Sequence, residues 1–211
     1  MYTDPSGHKA KPSYEGMRAL TYVYMKTIVH SDPTFSRIKF LNSRAASYAA
    51  GAVNPSLIGA TDVVTTTLAL NTFKDMVCED CAWDMKSVIG DAYGIDQKGT
   101  PETGTEDIYF DMPGTDPNVE TNFNMFGNVM YGYIGAAAGF TFETIVGAAA
   151  LVDTYNHKRP NAPDLAAVAL GYKLWQWYGE NLTEADLDAA FRLLAQTGNT
   201  HTRRKRPANA D

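Results

Sequence analysis

The chain has 211 residues, 45% hydrophobic and 20% charged, which excludes wholesale disorder and suits one domain with a core of its own. Its net charge is −6, and the last eleven residues contribute +3 (Arg203, Arg204, Lys205 and Arg206 against Asp211), so the first 200 carry −9. Proteins that grip nucleic acid neutralise phosphates with a basic surface, so this balance counts against such a target.

Residues 1–12 read as a polar leader with turn chemistry at Asp4-Pro5-Ser6-Gly7 and no apolar run, so export is expected to depend on a carrier. Met17, Leu20, Val23, Tyr24 and Ile28 predict a first helix over 14–30. A second, more basic helix follows over 35–50 and breaks at Asn54-Pro55. Asp62 is placed to cap a third over 63–77, with Val64, Leu68 and Phe73 inward. Cys78 and Cys81 form a lone CxxC with too few ligands for zinc; they read as two reduced residues near a turn, with a local disulfide as the alternative.

Residues 91–122 are rich in Gly, Pro and Asp, and strand candidates at 107–111 and 122–126 would pair as a small hairpin. Helix returns over 130–152, then over 164–178 with Pro163 in its first turn. Thr183-Glu184-Ala185-Asp186 resembles a capping box and opens a last helix to about Gln196, stopped by Gly198. The prediction is a mainly α fold: five or six helices around a Gly/Ala-rich central helix, with a small β-hairpin. By analogy of architecture alone it is close to a lysozyme-like α+β arrangement. The folded body is expected to span 13–198, and 199–211 to be a basic disordered tail.

The stretch 130–152 carries one charge, Glu143. Its length and Gly135-x-x-x-Gly139 would suit a membrane span, but its residues are mainly Gly and Ala, so a buried central helix and no stable membrane insertion are expected. Gly139, Glu143 and Gly147 are spaced four apart and would share one face. A carboxylic acid desolvated there holds its proton longer, which suits a general acid. The plain alternative is a structural ion pair with an Arg or Lys.

Three segments together resemble the bacterial polymorphic toxin type 44 domain. They are Trp83-Asp84-Met85-Lys86; Gly127-Asn128-Val129-Met130-Tyr131-Gly132-Tyr133-Ile134-Gly135 with Ala137-Ala138-Gly139-Phe140; and Pro163-Asp164 with Ala167-Val168 and Gly171. The resemblance runs from about residue 20 to 195. This chain departs from the family pattern at Met85, at Asn124 (where the family carries Asp) and at Met130 (often His), which weakens any histidine mechanism. Asp4-Pro5-Ser6-Gly7 is similar to the DPxG junction that closes the YD-repeat shell of Rhs proteins. The resemblance implies a toxin tip delivered by an Rhs/YD-repeat shell or another carrier into a target cell, and a cognate immunity protein.

For chemistry, a carboxylate pair in unlike environments points to glycoside hydrolysis, with peptidoglycan as the substrate and the target periplasm as the place of action. Glu143 is the candidate acid, and Asp84, Asp111 or Asp116 the candidate partner, with Lys86 beside Asp84. Trp83, Asn128, Tyr131 and Tyr133 are candidate substrate contacts, while Tyr109 would either stack on sugar or fill the core. In the plain reading, Trp83 packs inward and Asp84 with Lys86 holds a turn. The alternatives are a cytosolic ribonuclease built on Asp84, Lys86 and His157, and a pore-forming toxin. His8 and His201 sit in terminal segments and His30 at a helix end. No metal or other cofactor is expected.

Overall fold

The computed structural model describes residues 13–50, 55–78, 81–93, 109–114, 119–155, 162–197 and 202–204. Among them are eight α-helices and a three-stranded sheet: α1 (Tyr14–Ser31), α2 (Pro33–Ala50), α3 (Pro55–Val77), α4 (Met85–Tyr93), β1 (Tyr109–Asp111), β2 (Val119–Asn122), α5 (Phe123–Ala137), α6 (Phe142–Tyr155), α7 (Ala162–Tyr178), α8 (Glu184–Gln196) and β3 (Thr202–Arg204). The fold is therefore mainly helical with a small antiparallel sheet, as the sequence predicts.

Helix α5 is buried almost all round, which marks it as the central helix. It packs against α7 at backbone contact. A Cβ on Gly132 would lie 2.1 Å from the Val168 carbonyl oxygen, and one on Gly171 1.9 Å from that of Val129. Asn128 meets Asp164, Gly132 meets Val168 and Tyr133 meets Trp175, so the contacts advance together along both helices and the two run parallel. Around this pair lie two aromatic clusters. Tyr14, Phe126 and Phe191 join α1, α5 and α8, with ring centroids 4.9–6.5 Å apart. Phe73 meets Trp83, Tyr131 and Phe140 at 6.2, 5.5 and 5.3 Å.

The helix expected over 130–152 is two helices. Gly139 has φ +87°, a left-handed conformation that favours glycine. The Phe140 N–H donates to Gly135 O at 3.2 Å and the Gly139 N–H to Ala136 O at 2.9 Å, the paired bonds of a Schellman C-cap. Thr141 then caps α6, its hydroxyl accepting from the Thr144 N–H at 3.3 Å. Gly135 faces Ile145, so the GxxxG spacing serves a chain reversal and a close helix approach instead of a membrane pair. No helix among the described residues is long and apolar enough to cross a membrane.

Other boundaries differ from expectation for local reasons. Helix α3 begins at Pro55, suited to a first helical position, so Asp62 falls inside it; Ala69 and Phe73 face inward while Val64 and Leu68 are 64% and 43% exposed. Likewise Val23 of α1 points out and Met25 in. Helix α4 was not foreseen. The second strand ends at Asn122, whose side chain accepts from the Asn124 N–H and caps α5, so 123–126 is helix. Thr202–Arg204, expected within a disordered tail, pairs antiparallel with β2 and makes it the central strand. Cys78 and Cys81 are joined as a disulfide, where two reduced cysteines were favoured. The Thr183–Asp186 capping box is present in both halves, the hydroxyl accepting at 3.2 Å and the carboxylate at 3.0 Å.

Gly171→Ala should destabilise the fold by about 3 kcal/mol or more, because backbone stands where its methyl would go. Gly147→Ala, with nothing within 4 Å, should stabilise it by about 0.5–1 kcal/mol through helix propensity. Urea denaturation of the two variants checks the contrast; equal midpoints would refute the tight crossing.

Candidate functional site

The three segments singled out in the sequence meet on one side of α5. Asp84 stands at the N-cap of α4: its carbonyl accepts from the Val88 N–H at 3.1 Å and its carboxylate from the Ser87 hydroxyl at 2.9 Å. Met85, the next residue, packs against Gly127, where a Cβ would be 3.7 Å from that of Met85. One position on, Asn128 Nδ2 donates to Asp164 Oδ1 at 2.6 Å. The starts of α4 and α7 are thus both brought to the first two turns of α5.

Most of the residues expected to bind substrate are used inside the protein. Trp83 is 2% exposed, meets the Phe35 ring tilted and the Phe73 ring edge-on, and donates Nε1–H to Asp32 Oδ2 at 2.9 Å. Asp32 in turn caps α2 by accepting from the Thr34 N–H at 2.7 Å. Tyr131 donates to Ile145 O at 2.9 Å and Tyr133 to Gly179 O at 2.7 Å. Burial, then the charge of Glu180, pushes the Tyr133 hydroxyl well above the ordinary tyrosine range. Asp84 is 9% exposed. Its charge and that of Asp32, after burial, raise the Tyr24 hydroxyl, which donates to Ala82 O.

Glu143 is exposed in the first turn of α6, where a negative charge complements the helix N-terminus. The face it was expected to share with Gly139 does not exist, because Gly139 lies in the turn that ends α5. The burial argument for a general acid therefore fails. Lys86 is the second residue of α4, and its side chain lies outside the described residues, as do Asp116, His8, His157 and His201. His30 is exposed in the last turn of α1.

Asp111 does line a cavity. This open cleft of about 350 Å³ is lined by Ser13, Tyr14 and Glu15 at the start of α1, by Tyr109, Phe110, Asp111 and Pro113 of the first strand and its turn, and by Glu120 of β2. Asp111 and Glu120 are cross-strand partners, and partners of an antiparallel pair share a face. Three carboxylates and two tyrosines thus surround one opening. Glu15 and Glu120 had no signal in the sequence: Glu15 is one more polar residue in the first turn of α1, and the four-residue β2 is too short to show alternation.

Behind this cavity the charges are balanced. Tyr14 and Arg18 donate to Asp188 Oδ1 at 2.7 and 2.9 Å, Arg192 donates to Asp188 Oδ2 at 2.7 Å, and Arg18 also bonds Glu184 at 3.0 Å. Burial pushes the Asp188 carboxyl up, but the bonds from Arg192, Tyr14 and Arg18 outweigh it and hold it at about 2. Burial and then Asp188 raise the Tyr14 hydroxyl. Arg192 also supports the hairpin: a Cβ on Gly114, whose φ is +78°, would be 2.6 Å from its Nη1. Among the described residues there is no group of three or more His, Cys, Asp or Glu that could hold a metal ion.

Residues 72–177, half the chain, match the family model described as bacterial toxin 44. The helical domain is thus a bacterial toxin domain. The chain belongs to the bacterial toxin 44 family. No curated protein and no solved structure matches it. The matched stretch contains α4 to α7, β1 and β2, with Asp111, Glu120, Asn128 and Asp164; Ser13 to Glu15 lie outside it.

Asp188 titrates near 2 in the folded chain against 3.8 ordinarily, so its contribution is complete above pH 4 and is lost as pH falls towards 2. Asp188→Asn should destabilise the protein by about 2 kcal/mol at pH 7. The gap to the unaltered protein should narrow between pH 4 and 2. Denaturation midpoints across that range check this, and a gap that stays constant would contradict it.

Proposed function

We propose that this toxin domain is a carboxylate-dependent hydrolase of peptidoglycan glycan strands, delivered into the periplasm of a target cell and neutralised in its producer by a cognate immunity protein. The observation that carries the reading is the pairing of Asp111 with Glu120 on one face of the hairpin, opening onto the cavity that Glu15, Tyr14 and Tyr109 also line. Glycoside cleavage needs one carboxyl to protonate the leaving oxygen and another, ionised, to act as nucleophile or base. Tyrosine rings give sugar faces an apolar surface with a polar tip. The charge of −9 on residues 1–200 suits a glycan better than a polyanion. Delivery by an Rhs/YD-repeat shell agrees with the DPxG-like Asp4-Pro5-Ser6-Gly7.

Protein directed to the periplasm should kill, and protein kept in the cytosol should not. Purified domain should release reducing sugar from isolated sacculi. Asp111→Asn and Glu120→Gln should each lower that release by about 100-fold or more, while Glu143→Gln leaves it unchanged. Intact sacculi under protein that still kills from the cytosol would overturn the proposal in favour of a ribonuclease.

A further inference from the structure

Cys78 and Cys81 are the only two cysteines of the chain, and they are joined as a disulfide that closes the connector between α3 and α4. Hydrogen bonds hold the same stretch. The Cys81 N–H donates to Cys78 O at 3.0 Å and the Asp84 N–H to Cys81 O at 3.0 Å, while the Trp83 N–H reaches back to Met76 O in the last turn of α3 at 2.7 Å. The Tyr24 hydroxyl of α1 donates to Ala82 O. The residues after the disulfide carry contacts to the rest of the domain. Trp83 meets Phe35 and Phe73 and bonds Asp32, and Asp84 caps α4, whose Met85 lies against Gly127 of the central helix.

The position of the pair separates a lock from a redox catalyst. In thiol–disulfide oxidoreductases a CxxC pair opens a helix, whose free N–H groups stabilise the attacking thiolate. Here Cys78 directly follows Val77, the last residue of α3, and its N–H is bonded to Lys74 O at 3.1 Å. The pair therefore stands at the carbonyl end of a helix, which gives a thiolate no such support. That placement suits a structural bond, made once and kept. Both cysteines are half-buried, so an oxidant can reach them in the folded chain. A bacterial cytosol keeps thiols reduced, whereas the periplasm oxidises them.

We propose that the Cys78–Cys81 bond is a compartment-dependent lock: the toxin domain carries two free thiols in its producer's cytosol, and the bond forms after delivery into an oxidising periplasm. One cysteine attacks the disulfide of a periplasmic thiol oxidase and forms a mixed disulfide, from which the other cysteine displaces the oxidase. One S–S bond forms in the toxin and one breaks in the oxidase. The two thiol protons and two electrons end on the oxidase, whose disulfide becomes a dithiol. The new bond removes conformational freedom from the connector and so holds Trp83 and Asp84 in place. The place of oxidation rests on the periplasmic reading, but the lock itself does not.

Because the chain has no other cysteine, thiol labelling reads the pair directly. Protein trapped with an alkylating agent in the cytosol should be labelled at both cysteines, and protein trapped in the periplasm at neither. Reduction of the oxidised protein with dithiothreitol should lower its melting temperature by about 5 °C and speed exchange of the Trp83 and Asp84 amide hydrogens by about tenfold. The double variant Cys78→Ser, Cys81→Ser should match the reduced protein and ignore dithiothreitol. Directed to the periplasm, the unaltered protein should kill a cell without its thiol oxidase about threefold less well than a cell that has it, and the double variant should kill both equally. A disulfide already formed in the cytosol, or equal melting temperatures for the two redox forms, would overturn the lock. Undiminished killing of the oxidase-deficient cell by protein whose thiols stay free would do the same. Failure of the hydrolase reading would appear separately, as sacculi left intact by the oxidised protein while the two redox forms still differ in melting temperature.

Discussion

The contact between α5 and α7 sets the rest of the molecule. Gly132 and Gly171 bring two parallel backbones within van der Waals reach, an approach no side chain would allow. A parallel pair places both helix starts at the same end. Asn128 and Asp164 meet there because the glycines meet further along. Once α5 is fixed against α7, its remaining faces are covered by α1 and α8 through the Tyr14, Phe126 and Phe191 rings, and by α3, α4 and α6 through Phe73 and its neighbours. Residues that look like a binding motif in the linear chain, Trp83, Tyr131 and Tyr133 above all, are consumed by this assembly. Each has a hydrogen bond that only the fold supplies.

The cavity depends on a different constraint, the charge balance behind Tyr14. Three carboxylates line the opening, and behind it Arg18 bonds Asp188 and Glu184 while Arg192 bonds Asp188. Those ion pairs are partly buried, so their value lies in geometry as much as in energy. They hold Tyr14 against the core and Arg192 beneath Gly114, and so fix the wall and the turn between which Asp111 and Glu120 face outward. The wall at Ser13 to Glu15 comes from a helix outside the family-matched stretch, whereas the carboxylate pair lies within it.

What was legible in the sequence was local. The capping box at Thr183 and Asp186 is written in four adjacent residues and forms as read. The first helix is similarly self-contained, although its inward face is rotated enough to exchange Val23 for Met25. The break between α5 and α6 was not legible. In a run of Gly and Ala, apolarity says nothing of where a glycine will turn left-handed, and the Thr141 cap looks like one more helix residue. Helix α4 was hidden by its nine residues, and β3 by a partner strand far away in sequence. The cavity was half visible: Asp111 stood out in a strand-like stretch, but Glu15 and Glu120 become its neighbours only through packing.

Glu143 and Asn124 carry the same lesson in opposite directions. A single carboxylate in an apolar run invites the inference that it is desolvated and therefore reactive. Yet burial belongs to the fold and not to the run, and a turn at Gly139 is enough to put Glu143 on the surface at a helix start, where its charge is already useful. Asn124 drew notice in the sequence only as a departure from a pattern. In the fold its Oδ1 is buried, so here too burial is set by packing and not by the residue's place in the run.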